Sequence, residues 1–367
     1  MIDLGIFTVP LLGALSVFMV AFFTGDTISF DDIPTPADMQ WNGYDSHVVT
    51  RMLVDELRQL NEDAQSEAAG LEVDPSYVDQ SLGQYAEYFG IGKLVDTTRN
   101  LVGANQFYVS SEVTDSAGKI LYTARLFSPN SNEPVDTVRV EGDPANPTPM
   151  IHEAALQLLT NISPYIVALH YFKQETAALK WDYPKTRELL KQHIETPPPQ
   201  DNYLAYDLIG RMHRMRAEED VTLTPDQKRK ELNDAIHEFN AALRQNPRFL
   251  FTNFVLGVVY GDLEDYANAD LYFAKAVAID PNFLPAREHW GRDLVKQGRV
   301  REAVYQYVAA VEIAPEDPEL HNKLAELYFK LNHSDAAVAQ WEIAEKLDPT
   351  NGDVQNQLKA FGTRLSH

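Results

Sequence analysis

Two short stretches hold residue types that could do chemistry at the right spacing. His152-Glu153 begins a pattern that binds zinc on a helix when a second histidine follows four residues after the first and the glutamate acts as base. Position 156 is Leu, so that ligand is missing and the pair reads as polar residues on a helix surface. Gly90-Ile91-Gly92-Lys93 has the glycines and lysine that cradle phosphate, yet the rest of a phosphate loop or dinucleotide fingerprint does not follow. It reads as a turn between helices. The ten histidines are scattered without ligand spacing, and there is no Gly-x-Ser-x-Gly. The chain has no cysteine, which removes thiol catalysis, disulfides and thiolate metal sites. Asn161-Ile162-Ser163 and Asn332-His333-Ser334 match a glycosylation sequon, a pattern frequent by chance and here next to helices. The expectation is therefore no catalytic residue, no cofactor and no metal: a binding protein, not an enzyme.

Composition narrows the partners. The 367 residues are 44% hydrophobic, too apolar for a disordered chain and too long for one ordinary core. With 54 acidic against 31 basic residues the net charge is -23, which repels phosphate backbones and anionic lipid headgroups, so nucleic acid is not an expected partner. Residues 5–24 (GIFTVPLLGALSVFMVAFFT) are uncharged and long enough as a helix to cross the roughly 30 Å hydrocarbon layer. A cleaved signal peptide needs a basic start and a small-x-small cleavage site, whereas this segment starts Met-Ile-Asp and ends Phe22-Phe23-Thr24. A single-pass anchor over residues 1–24 is the expectation. No Lys or Arg precedes Arg51, so the positive-inside rule is silent on orientation. The acidic flank (Asp26, Asp31, Asp32, Asp38) and the absent cysteines favour a soluble part outside the cytoplasm, in a bacterium the periplasm, with the anchor in the inner membrane.

The elements after the anchor follow from periodicity. Residues 25–44 are rich in Pro, Asp and Gly and read as a tether. A small α+β domain spans 45–162. Its first helix is capped by Asp45 or Ser46 and carries Val49, Leu53, Leu57 and Leu60 on one face. Helical stretches follow at about 75–89 and 91–101. The period then changes to two: Phe107, Val109, Ser111 and Val113 share one face, as do Ile120, Tyr122, Ala124 and Leu126, across a turn at 115–118. A third strand is expected at Val135 to Val140, then a helix with Thr148 as N-cap and Pro149 at N1. The run of GYDSHVVTRMLVDEL, IGKLVDTTRNL, the hairpin NQFYVSSEVTDSAGKILYTARLF and a closing helix resembles the N-terminal α/β domain of TolB-type proteins, although the strand which opens that domain is not evident here. The resemblance implies an interaction domain without an active site.

The C-terminal part carries a repeat. Pro247, Pro281, Pro315 and Pro349 recur at one constant interval, a period of about 34 residues. In register with them come Leu256-Gly257, Tyr260, Ala269, Phe273 and Ala276; Trp290-Gly291, Leu294, Ala303, Tyr307 and Ala310; and Leu324-Ala325, Tyr328, Ala337, Trp341 and Ala344. Small residues at the eighth and twentieth positions let two antiparallel helices touch, the aromatic at the twenty-fourth fills the gap to the next repeat, and the proline stops the second helix. This pattern resembles the tetratricopeptide repeat (TPR), which implies an α-solenoid over 201–367. Upstream, Ala235, Phe239 and Ala242 give the second helix of another repeat, whose first helix with Gly210 lies too early for the register; an inserted loop, AEEDVTLTPDQ, accounts for the offset. Residues 163–200 read as a degenerate helical pair, and DVQNQLKAFGTRL as a capping helix. The fold class is thus mainly α: anchor helix, small α+β domain, solenoid.

In such solenoids the second, fifth and ninth positions of each first helix face a concave groove. Here they are Phe251, Phe254 and Val258, then Pro285, Glu288 and Arg292, then Glu319, Asn322 and Glu326. Ordinary packing is an equal reading for Phe251 and Phe254. The Lys and Asn set that grips a peptide's terminal carboxylate in some relatives is absent. The resemblance implies a scaffold for protein partners, here membrane-associated, that assembles an envelope complex; an accessory subunit for export of a polymer such as exopolysaccharide is the alternative.

Overall fold

The computed structural model describes residues 28–30, 32–69, 107–116, 118–127, 133–195 and 202–365. The expected anchor and the helical stretches at 75–89 and 91–101 lie outside these. Among the described residues no helix is long and apolar enough to cross a membrane. The chain divides into two compact units, one ending at Thr196 and one starting at Pro197.

The first unit is built on a four-stranded sheet in the order β1-β2-β3-β4, with β1 Ile28–Phe30, β2 Phe107–Ser116, β3 Lys119–Phe127 and β4 Asp136–Gly142. The β2–β3 hairpin turns tightly, Ser116 opposite Lys119, with Gly118 at φ 85, a left-handed conformation that glycine adopts without strain. The expected inner face forms: Val109 pairs with Leu126, Ser111 with Ala124 and Val113 with Tyr122, while Tyr122 and Ala124 also face Val140 and Val138. All of these are buried.

Within the expected tether, the described residues 28–30 and 32–44 are part of the folded unit. They supply β1, which pairs in parallel with β2 through Ile28 and Phe107, and the short helix α1 (Ala37–Trp41). Ile33 and Met39 are fully buried, and Ile33 donates its N–H to Thr50 Oγ1 at 2.8 Å. This strand, only three residues long, is not evident in the sequence. Helix α2 (Ser46–Ala69) is capped by Asp45, whose Oδ1 accepts from Val48 N at 2.9 Å, and buries Val49, Leu53, Leu57 and Leu60. It packs on α3 (Thr148–Ile162), which covers the sheet. At α3, Pro147 occupies the cap position and Thr148 is already helical. Met150 packs so closely on Gly142 that a Cβ there would lie 2.7 Å from its own Cβ.

Helices α4 (Pro164–Ala177) and α5 (Pro184–Glu195) form the expected pair but belong to this unit, α4 packing on α2 and α3. Buried Glu175 ties them, accepting from Lys185 N, Thr186 N and Thr186 Oγ1 at the start of α5.

The second unit is a succession of antiparallel helix pairs: α6 (Asn202–Glu219) with α7 (Pro225–Gln245), α8 (Leu250–Asp262) with α9 (Tyr266–Ile279), α10 (Leu284–Lys296) with α11 (Val300–Ile313), and α12 (Pro318–Lys330) with α13 (Ser334–Leu347). Helix α14 (Gly352–Leu365) packs on α13 and closes the array. The aromatic at the twenty-fourth position presses on the glycine of its own pair. A Cβ at Gly257 would be 2.6 Å from the Phe273 ring, one at Gly291 2.7 Å from Tyr307, and one at Gly210 2.7 Å from Phe239. The aromatic packs toward the next repeat as well: Tyr307 shares a core cluster with Leu320 and Leu324, and Phe273 with Phe283 and Ala286. Each tight turn uses one left-handed residue, Glu264, Gly298 and Asn332, again at the interval of the prolines.

The extra length of the first pair is not chiefly a loop. Most of it extends the helices, so that α6 runs to Glu219 and α7 starts at Pro225 behind a Thr224–Gln227 capping box.

Candidate protein-binding groove

The first helices α6, α8, α10 and α12 carry the groove positions. Phe254 and Val258, expected there, are buried in the core instead. The reason is the start of the next pair: Phe254's ring centroid lies 5.3 Å from Phe283 and 5.2 Å from His289, and 6.4 Å from Phe273 behind it. Phe251 stays partly open, 5.8 Å from Phe254, with the Arg211 guanidinium 6.0 Å above its ring.

Burial pushes the Tyr307 hydroxyl up to about 12, aided by Glu288 and opposed by Arg292, with Glu319 and Glu326 raising it further, so four of the expected groove residues lie within electrostatic reach of one phenol. Glu288 is half-buried and its carboxyl is raised by desolvation, then by Asp317 and Glu319. Pro285 and Glu319 are exposed. Asn322 lines the same helix face, but its Oδ1 accepts the Trp341 indole N–H at 3.0 Å, so it also fixes its own pair.

On the other side of Arg292 lies a cationic cluster. Arg292 donates to His289 Nδ1. Desolvation drives the His289 imidazole down to about 4, and Arg292, Arg214 and Lys296 push the same way, so it is neutral at physiological pH. Asp262 and Glu218 border this cluster, both raised first by desolvation, with Arg214 the main opposing charge. Asp293 is buried against Gly261 and bonded to Lys296 at 2.9 Å.

Asp207, Arg211 and Arg214 were missed because the groove positions were not carried onto the first helix of this repeat, whose close-contact residue Gly210 lies out of register. Gly210, taken as the eighth position, would have placed Asp207 and Arg211 at the fifth and ninth. Asp207 is fully buried, its Oδ1 accepting from Thr252 Oγ1 at 2.6 Å while Oδ2 has no partner. Burial raises its carboxyl to about 6 against the pull of Arg211 and the Thr252 hydrogen bond.

The histidine and carboxylate pairs have structural partners. His152 bonds Glu56 at 2.7 Å across α3 and α2, so it ties two helices and is not a free surface residue. The lengthened tips of α6 and α7 bring together His213, Glu231 and Asp234, one potential ligand atom from each within 4.8 Å of the others. Glu231 is there shared between His213 at 2.6 Å and Arg216 at 3.3 Å, the arrangement of an ion-paired helix contact.

A TPR-repeat model matches residues 291–332 and a tetratricopeptide-repeat model residues 252–283. Residues 252–332 are tetratricopeptide repeats. The chain is similar, at 21% identity over 70% of its length, to a DnaJ homolog subfamily C member 7 homolog of Dictyostelium discoideum, and spans about half of that relative's length, 50%. Among solved structures it is similar to YrrB, a TPR protein with an unusual peptide-binding site (18% identity, TM-score 0.42, covering 56% of this chain and 98% of that one). MamA is another (15% identity, TM-score 0.40, 49% and 95%). The repeats support a protein–protein interaction role for this region.

Proposed function

We propose that the chain is a membrane-anchored adaptor, not an enzyme, in which residues 5–24 hold the molecule in a bacterial inner membrane and the periplasmic repeats grip a protein partner to assemble an envelope complex. The observation that carries the binding part is the run of side chains along consecutive first helices. Arg211 lies over Phe251, Arg292 joins the His289 cluster to the Tyr307 cluster, and Glu288, Glu319 and Glu326 continue from there. A partner helix or peptide lying across these helices meets an aromatic, then cations, then carboxylates, which sets its direction as well as its chemistry. The anchor is supported by the uncharged length of residues 5–24 and the periplasmic side by the acidic flank.

Affinity purification of the full chain from detergent tests this reading. A stoichiometric membrane-associated protein is the expected result. Recovery of a polysaccharide or its synthase would point instead to polymer export, and recovery of the chain alone would refute the adaptor.

A further inference from the structure

The second helices of the first two pairs carry a feature that neither the groove nor the repeat packing uses. An open trough of about 620 Å³ lies between α7 and α9 and reaches the loop into α8. Arg244, Arg248 and Lys275 line it. Each is exposed, and among the described residues none is paired with a carboxylate.

Repeat architecture does not require them. One repeat on, the equivalents of Arg244, Arg248 and Lys275 are Ala278, Asn282 and Ala309; in the next they are Glu312, Glu316 and Ile343. The trough is also shaped. Lys275 Nζ sits 4.3 Å over the Tyr272 ring, and Tyr272 is fixed by donating to Asn240 Oδ1 at 3.0 Å. At the wall, fully buried Asn253 gives its amide hydrogens to the carbonyls of Pro247 and Phe249 and leaves its oxygen without a donor.

We propose that this trough is a second binding site, distinct from the groove, for an acidic peptide segment of a protein partner. Aspartate or glutamate side chains pair with the two guanidinium forks and the ammonium, and the segment's aliphatic atoms lie on Leu243 and Ile279. The open form suits a chain passing through it better than an enclosed small molecule. A duplex or a lipid surface meets the whole charge of -23 and is repelled. A short segment inside the trough lies within the ~8 Å screening distance of the three cations and feels chiefly them.

The test is selection of a random-peptide display library on the full chain in detergent, followed by affinity measurement of the recovered peptides. Peptides rich in Asp and Glu are expected, bound more weakly as salt rises. Arg244→Glu with Lys275→Glu should weaken them at least tenfold at an unchanged melting temperature, since both side chains are exposed. A charge-matched control at the other end of α7, Arg229→Glu with Lys230→Glu, should leave them unchanged. The groove variant Phe251→Ala with Arg292→Glu should also retain them, which separates this site from the proposed groove. Recovery of neutral or basic peptides, of no peptide, or of acidic peptides that survive the trough variant or are lost in the groove variant, overturns the proposal.

Discussion

Replacing Phe254 by Ala separates core from groove. Its ring is 9% exposed and packs on Phe273 in its own pair and on Phe283 and His289 of the next, so truncation opens a cavity at the contact between two repeats. Buried Phe→Ala changes cost about 3–5 kcal/mol. For a unit of this size each kcal/mol lowers the melting temperature by about 2–4 °C, so a fall of roughly 6–20 °C is expected in a calorimetric or circular-dichroism melt. Because repeats are coupled only to neighbours, the transition should also broaden or split at this contact. A second readout is independent of stability. Phe254 is part of what desolvates His289, whose imidazole stands at about 4; without the ring, its NMR titration should move up towards 6.5. A variant that melts within about 2 °C of the parent and leaves the His289 titration unmoved would refute the placement of Phe254 in the core.

Other outcomes follow from the same structure. Asp207 has a carboxyl raised from 3.8 to about 6, so the folded chain keeps a proton that the unfolded chain has lost, and stability falls as pH rises from about 4 to about 6. Asp207→Asn should remove that slope and stabilise the fold at pH 7 by up to about 3 kcal/mol, less the lost attraction to Arg211; denaturant titrations across pH that show an unchanged slope would contradict this. His289 acts oppositely, its lowered value making stability rise with pH from about 4 to 6.5, so His289→Gln should remove that rise. Ala310→Leu, at a fully buried helix contact, should cost at or above the usual ~1–3 kcal/mol for overpacking, and an unchanged melt would sink the repeat register. Deleting residues 1–24 should release a folded, helical protein from membranes, and a truncated chain that still pellets with them would contradict the anchor.

The solenoid was legible because its packing rule recurs in the sequence. Gly257 stands as far from Phe273 along the chain as Gly291 does from Tyr307, and the prolines keep one interval throughout. In the first pair the same contact, Gly210 to Phe239, spans nearly twice that separation, and turn-forming residues in the insertion suggested a loop where most of the length became helix. Strand β1 was not legible, since three residues between acidic and proline-rich stretches show no periodicity and pairing with β2 is a tertiary event. Phe254 stayed open between groove and core for a related reason. Its position faces the groove in the repeat pattern, but Phe283 and His289 of the following pair cover it, and coverage by a neighbour is not encoded at the residue itself.

The most direct test of the groove is comparative purification with a variant that spares the core. Phe251 is partly open and Arg292 exposed, so Phe251→Ala with Arg292→Glu should leave the melting temperature within a few degrees of the parent. Purified side by side from detergent, the parent should return its protein partner in stoichiometric amount and the variant should return none. A stable variant that still returns the partner would contradict the groove as the working surface.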